Sequence, residues 1–279
     1  VVVRLFIIYH DFQHGAIFRK SRVAPWLINW VGFLTQAPSS VWKETHDYHH
    51  TNNARLLGSA IGSYPLVTVG IWRVMKPEQK RMYRFIRHPL TIALGFFTAF
   101  QIGFCYSAFR RDPKRHWRGP VAFFTYYGVL ATLWWTLGFT NAFLMLLLPS
   151  IISAAAGAYL FYAQHNFPGA EMMDRREWNY HKAALRCSSY FDMSPMMHWF
   201  TGNIGYHHVH HLNHRIPFYR LKEAMDALPE LQDPIATSWA LKDVWGCLRI
   251  GLWDPKGHAM ISIAEGEAQL AARRAAAAK

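Results

Sequence analysis

Nine of the sixteen histidines fall in three windows of five residues: "HDFQH" at 10–14, "HDYHH" at 46–50 and "HHVHH" at 207–211. A neutral imidazole binds metal well and packs poorly in an apolar core, so this density points to coordination chemistry. On a helix, residues three or four apart share a face. His10 and His14 therefore project together. His46, His49 and His50 stand at i, i+3 and i+4 and are expected to converge on one point; His207, His210 and His211 repeat that spacing. His208 lies off the converging face and reads as a non-ligand. Eight donors exceed what one zinc site takes. They suit two metal ions, each with a position left for oxygen or water. All-nitrogen ligation fits iron, copper or zinc better than magnesium or calcium, and two-iron chemistry is the natural reading.

Neighbouring residues extend the pattern. Asp11 and Asp47 each directly follow a histidine of the first two windows. A ligating imidazole passes its second N–H to a carboxylate or carbonyl, which fixes the tautomer, so both acids are expected partners. Asn203, four residues before His207, would face the same way on a helix and hold a water or a histidine. His165 in "YAQHNF", at a helix end, reads by itself as an interfacial or capping residue. His88, His116, His181, His198, His214 and His258 are scattered and read as surface or interface residues. Cys105, Cys187 and Cys247 are far apart, with no CxxC, and form neither a metal set nor a disulfide framework.

The elements that must position these residues look membranous. The chain is 52% apolar and 16% aromatic, with twelve Trp and a net charge of +13. Together these suggest a membrane protein whose Lys and Arg sit at the cytoplasmic headgroups. A nucleic-acid binder needs a basic face on a water-soluble fold, which the long apolar runs argue against. Residues 120–138 and 139–163 carry no charge, and each is long enough to span, so their tight join predicts a helical hairpin. Residues 89–109 are also long enough. They are flanked by "KPEQKRMYRFIRH" and "RRDPKRHWR", which put both ends on one side. That segment is expected to be re-entrant or in-plane, broken by Gly95 and Gly103. Residues 56–75, with Pro65 and three glycines, read as interfacial, and 24–37 is too short to cross.

The chain opens on "VVVRLFIIYH", without Met or signal-peptide architecture. The expectation is a start inside a hydrophobic helix, residues 1–9, with earlier segments missing. That helix delivers residues 10–14 to the cytoplasm, where 46–50 remains, and the hairpin returns there at 165. All three histidine windows then share one side. The expected fold class is all-α: an integral membrane helical domain with a cytoplasmic helical cap, residues 164–265, carrying the metal site. The Ala-rich end, 266–279, reads as a solvated helix or frayed tail.

HxxxH, then HxxHH, then a distant HxxHH after a hydrophobic hairpin resembles the membrane fatty acid desaturases. His10/His14, His46/His49/His50 and His207/His210/His211 fill the three boxes in order. The resemblance implies a further ligand after the last hydrophobic helix, and His165 in "QHNF" matches that position. The stretches "HKAALRCSSYFDMSPMMHWFTGNIGYHHVHHLNHRIPFYRL" and "LWDPKGHAMIS" look like the bacterial acyl-lipid branch. The likeness covers nearly the whole chain and departs at the front, where the family's earlier helices are missing. It implies two iron ions, O2 as co-substrate, a membrane-lipid acyl chain as substrate and insertion of a cis double bond. The two electrons would come from ferredoxin or a haem cytochrome, steered by the basic face. No "HPGG" haem motif occurs in these residues, so a fused haem domain is not expected. The implied location is a bacterial inner membrane, with the site on the cytoplasmic side.

A di-iron hydroxylase or ketolase acting on an alkane, sterol or carotenoid would carry the same boxes; the sequence around the third box favours desaturation. A membrane zinc hydrolase leaves five histidines unexplained. A metal transporter would place its ligands within the spans rather than just outside them.

Overall fold

The computed structural model describes residues 1–56, 58 and 61–278. Three helices open the chain: α1 (Val2–Gln13), α2 (Ala24–Leu34) and α3 (Ser39–Asn52). They lock together around Tyr9. Its hydroxyl donates to the Ala37 carbonyl at 2.6 Å, and its ring lies where a Cβ on Gly32 would stand, 2.7 Å away. Trp42 packs edge-on to Tyr9 and Phe6, which fixes α3 against α1 at the level of His10 and His46.

Next come β1 (Val67–Thr68), α4 (Val69–Val74), α5 (Pro77–Ile86) and α6 (Pro89–Ala93). Leu57, Ser59 and Ala60 of the stretch expected to be interfacial lie outside the described residues. The described rest of that stretch runs through turns into a strand and a short helix whose Trp72 is fully buried against Tyr83. A π-helix, Phe96–Ser107, leads into α7 (Ala108–Arg111) and α8 (Pro113–His116). The expected break at Gly95 coincides with a turn at Leu94. Gly103 breaks nothing, because it lies inside the continuous π-helix.

The hairpin has α9 (Arg118–Leu137) as its first arm. Gly138 turns the chain with φ 84°, a backbone setting that favours glycine. The second arm runs continuously through α10 (Phe139–Ala142), a π-helical turn (Phe143–Leu147) and α11 (Leu148–Ala163). This arm, Phe139–Ala163, is the one helix among the described residues that is long and apolar enough to cross a membrane. The arms pack with the π-helix through Phe96, Tyr126 and Ala154. Gly95 lets that segment approach α11 closely, since a Cβ there would stand 2.8 Å from that of Ala158.

The remainder holds α12 (Tyr180–Arg186), β2 (Tyr190–Asp192), α13 (Pro195–Phe200), α14 (His207–Leu212) and α15 (Leu221–Ala227). It ends with β3 (Ala236–Ser238), α16 (Leu241–Arg249), β4 (Ile250–Asp254), β5 (Ala259–Ser262) and α17 (Ile263–Ala277). The protein is mostly helical, as expected, but this region is not helical throughout. β1 pairs parallel with β4 (Val67 opposite Leu252), which forms an antiparallel hairpin with β5 (Trp253 opposite Met260). β2 pairs parallel with β3, Phe191 opposite Thr237. These strands are two to five residues long, too short for alternation to show in the sequence.

The solvated helix expected at 266–279 is present, with residues 271–278 exposed, but its first turns are anchored. A Ser262–Glu265 capping box starts α17. Gly266 and Leu270 then pack it into the cluster holding Leu252 and Val69. One buried cation joins this outer sheet to the end of α11. The Arg87 guanidinium donates to the Pro65 carbonyl (2.7 Å), the Tyr162 hydroxyl (3.0 Å) and Asn166 Oδ1 (2.7 Å).

Candidate metal centre

Nine histidines meet in two buried sets. His10 of α1 and His14 at its C-cap, His46 and His50 of α3 and His210 of α14 form the first; His49 of α3, His165 beyond α11, and His207 and His211 of α14 form the second. Within each set the candidate nitrogens lie within 4.8 Å of one another. Nε2 atoms form a chain in each. His10–His46, His46–His50 and His50–His210 are all 3.1 Å apart; His49–His165, His165–His207 and His207–His211 are 3.0, 2.9 and 3.1 Å.

The two HxxHH triplets do not converge on single points as expected. Each sends its i and i+4 members to one set and its i+3 member to the other, in opposite senses. At about 100° per residue, i and i+4 stand roughly 40° apart, whereas i+3 and i+4 are separated by about 100°. A single helix therefore feeds two centres. The local ring geometry repeats: His46/His50 have centroids 4.7 Å apart at 83°, and His207/His211 are 4.6 Å apart at 75°.

Some of the rings are oriented from behind. Asp11 Oδ1 accepts from His10 Nδ1 at 2.9 Å, and its Oδ2 accepts the Phe218 backbone N–H at 2.6 Å. This carboxylate ties the first box to the segment after the third. His165 Nδ1 donates to the Cys187 carbonyl at 3.1 Å, a partner the sequence does not advertise. Asp47 is looser: its Oδ1 is 3.8 Å from His14 Nδ1, while Oδ2 pairs with Lys43 at 2.7 Å. Asn203 lies in a turn rather than a helix, with φ 55°, and donates to the Phe218 carbonyl instead of meeting His207. His208 sits outside both sets, 3.3 Å from the Leu231 carbonyl. The structure adds His214, read from the sequence as scattered: its ring packs 4.6 Å from that of His14 and 5.2 Å from that of His50.

The donor set fits metal ions. Burial drives His46, His49, His50, His207, His210 and His211 well below the ordinary histidine range, and His165 to about 4, so these rings are neutral. Burying so many polar rings costs free energy unless something pairs with their nitrogens. Clustered lone pairs repel one another, and a cation between them reverses that term. Metal–imidazole bonds of about 2.1 Å at right angles place neighbouring nitrogens roughly 3.0 Å apart, close to the spacings seen. No carboxylate belongs to either set. Such all-imidazole donors suit iron, copper or zinc.

An apolar cavity of ≈ 680 Å³ runs against both sets, lined by His10 and His46 of the first, His207 of the second, and Trp42 and Phe161. Phe161 also packs 5.1 Å from His49 and 5.7 Å from His165. An apolar cavity of this kind, walled by both histidine sets, has the shape and lining for a long apolar ligand.

Comparison with known proteins agrees with this chemistry. The family model for fatty acid desaturases matches residues 1–240. The chain belongs to the fatty acid desaturase family. It is similar to a fatty acid desaturase of Bacillus subtilis, 30% identical over 266 residues, covering 94% of this chain and 74% of the relative. It is also similar to an sn-1 acyl-lipid omega-3 desaturase (ferredoxin) of Synechocystis, 24% identical over 276 residues, covering 87% and 70%. A chloroplastic omega-6 fatty acid desaturase of Spinacia oleracea is 20% identical over 234 residues, covering 82% and 51%. This desaturase is therefore an oxidoreductase acting on fatty acyl chains.

Proposed function

We propose that this desaturase holds two iron ions, one in each histidine set, and inserts a cis double bond into the acyl chain of a membrane lipid. The observation that carries the reading is the pair of all-histidine sets on the wall of one apolar cavity. With O2 and two electrons, such a centre supplies the oxidising power to remove hydrogen from an unactivated methylene, which no side chain has. The protein's own work is positional. Trp42 and Phe161 wall the chain against the histidines, Asp11 and the Cys187 carbonyl fix two imidazole tautomers, and the apolar lining keeps water away.

We further propose an integral membrane protein, inner-membrane in a bacterium, with the histidines at the cytoplasmic face. Supporting this, Phe124, Trp134, Trp135, Met145 and Ile152 on the hairpin are each more than half exposed, which suits lipid and not water. The net charge of +13 suits an acidic electron carrier such as ferredoxin, the donor named for the Synechocystis relative.

The test is fatty acid profiling of a host expressing the complete gene, with His207→Ala as control and iron measured in the purified protein. The expected result is a new unsaturated acyl chain that vanishes in the variant, with two irons per chain. New oxygen on the chain would identify a hydroxylase instead. One zinc per chain would favour a hydrolase.

A further inference from the structure

Glycine is a poor choice inside a helix, so a glycine there invites a reason. Gly95 and Gly119 have one in close packing: a Cβ on either would stand 2.8 Å from Ala158 Cβ or 2.5 Å from the Cys105 carbonyl. Gly157, inside α11, has none. A Cβ added there meets nothing within 4 Å, and its φ is not in the left-handed range that would favour glycine. It borders the cavity.

From α11, the cavity is lined by Ser150, Ser153, Ala154, Gly157, Phe161 and Gln164 among others. At 1.5 Å per residue, Ser150 to Gln164 covers about 21 Å, and Gly157 lies roughly 12 Å along the axis from His165. Met82, Phe85 and Ile86 of α5 also line the cavity, on a helix that carries Lys80, Arg81 and Arg84, with Lys76 at its start. That charged helix suits the polar end of a lipid. The uncharged lining from α11, Phe96 and Phe100 suits the methyl end.

Resting on the desaturase reading above, we infer that Gly157 sets how far the methyl end runs past the histidines, and so which pair of methylenes lies against them. A side chain at 157 would enter this open space, its Cβ meeting no protein atom within 4 Å. It would stop the methyl end nearer the histidines. The carbons presented would then lie closer to that end, or a shorter chain would be preferred.

The experiment expresses the full-length protein with Gly157→Ala, Gly157→Leu and Gly157→Phe, and reads double-bond position and chain length of the products, with iron content measured beside them. Gly128→Leu serves as control, since Gly128 is exposed on α9 with open space around it and does not line the cavity. The expected result is a graded shift toward the methyl end, or toward shorter chains, from Ala to Leu to Phe at unchanged iron content, with the control unshifted. If the Phe variant fails to accumulate, the Ala and Leu variants decide. An unshifted product from iron-loaded Gly157→Leu overturns the assignment of Gly157. Oxygenated product from the wild type overturns the desaturase reading instead, a result seen without any variant.

Discussion

The two histidine sets share α3 and α14 yet sit in different surroundings. The first set has five donors and a soft edge, where His14 is 9% exposed beside half-exposed Asp47 and the ring of His214. The second has four donors, all at 5% exposure or less, enclosed by Phe161 and the Cys187 carbonyl. The first therefore has a spare donor and the second has none. Equal boxes in sequence have become unequal centres in space, because the extra histidines come from unrelated elements: α1 with its C-cap supplies two to the first and the end of α11 one to the second.

The most severe way to test this inequality is to remove one donor at a time. His211→Ala leaves three donors in the second set, and His14→Ala leaves four in the first. We expect His211→Ala to lose about one iron per chain and all desaturation, and His14→Ala to retain more iron. Metal analysis of purified protein and lipid profiles of the same cells provide both readouts. Equal iron loss in the two variants would erase the distinction between the sets.

Acid should act on the buried rings next. His165 is pushed from 6.5 to about 4 by burial, partly opposed by its bond to the Cys187 carbonyl. Its folded pKa lies below the unfolded one, so below about pH 6.5 the unfolded chain binds the proton and the folded chain does not. Stability is complete above 6.5 and is lost as pH falls toward 4, by roughly 3 kcal/mol for this group alone. Melts of metal-free protein in detergent should show a falling midpoint across that window, with a shallower fall in His165→Asn. Iron should leave over the same range or above it, since protons compete for the same nitrogens. A midpoint flat between pH 7 and 5 would mean the rings are not buried as seen.

The histidine boxes were legible because their spacing is local: i, i+3 and i+4 reveal a helical patch whatever surrounds it. Which member joins which histidine set depends on how α3 and α14 face each other, and no local spacing carries that. Asp11 was legible for the same local reason, since it adjoins the ring it orients. The Cys187 carbonyl was not, because any residue has a carbonyl and only the fold aims this one. His214 was passed over because its neighbours, His14 and His50, are remote in sequence. The hairpin showed in its uncharged runs, whereas two- and three-residue strands are too short to leave a pattern. Asn203 misled because its helical spacing to His207 holds only on a helix, and the chain turns there.

The finest comparison sets the two acids against each other. Asp11 is 2% exposed and uses both oxygens, one on His10 and one on the Phe218 N–H. Asp11→Asn keeps the shape but offers only one acceptor for those two N–H groups, leaving one buried donor facing an amide. We expect about a 10–100-fold loss in iron affinity or activity. Asp47 is half exposed, reaches His14 only at 3.8 Å, and already pairs with Lys43. Exposed pairs of this kind contribute little, so Asp47→Asn should stay within a few-fold of wild type. Iron titrations of both variants give the ratio directly. Losses of equal size would show that Asp47 closes on His14 once metal is bound, and the soft edge of the first set would then be a feature of the metal-free protein alone.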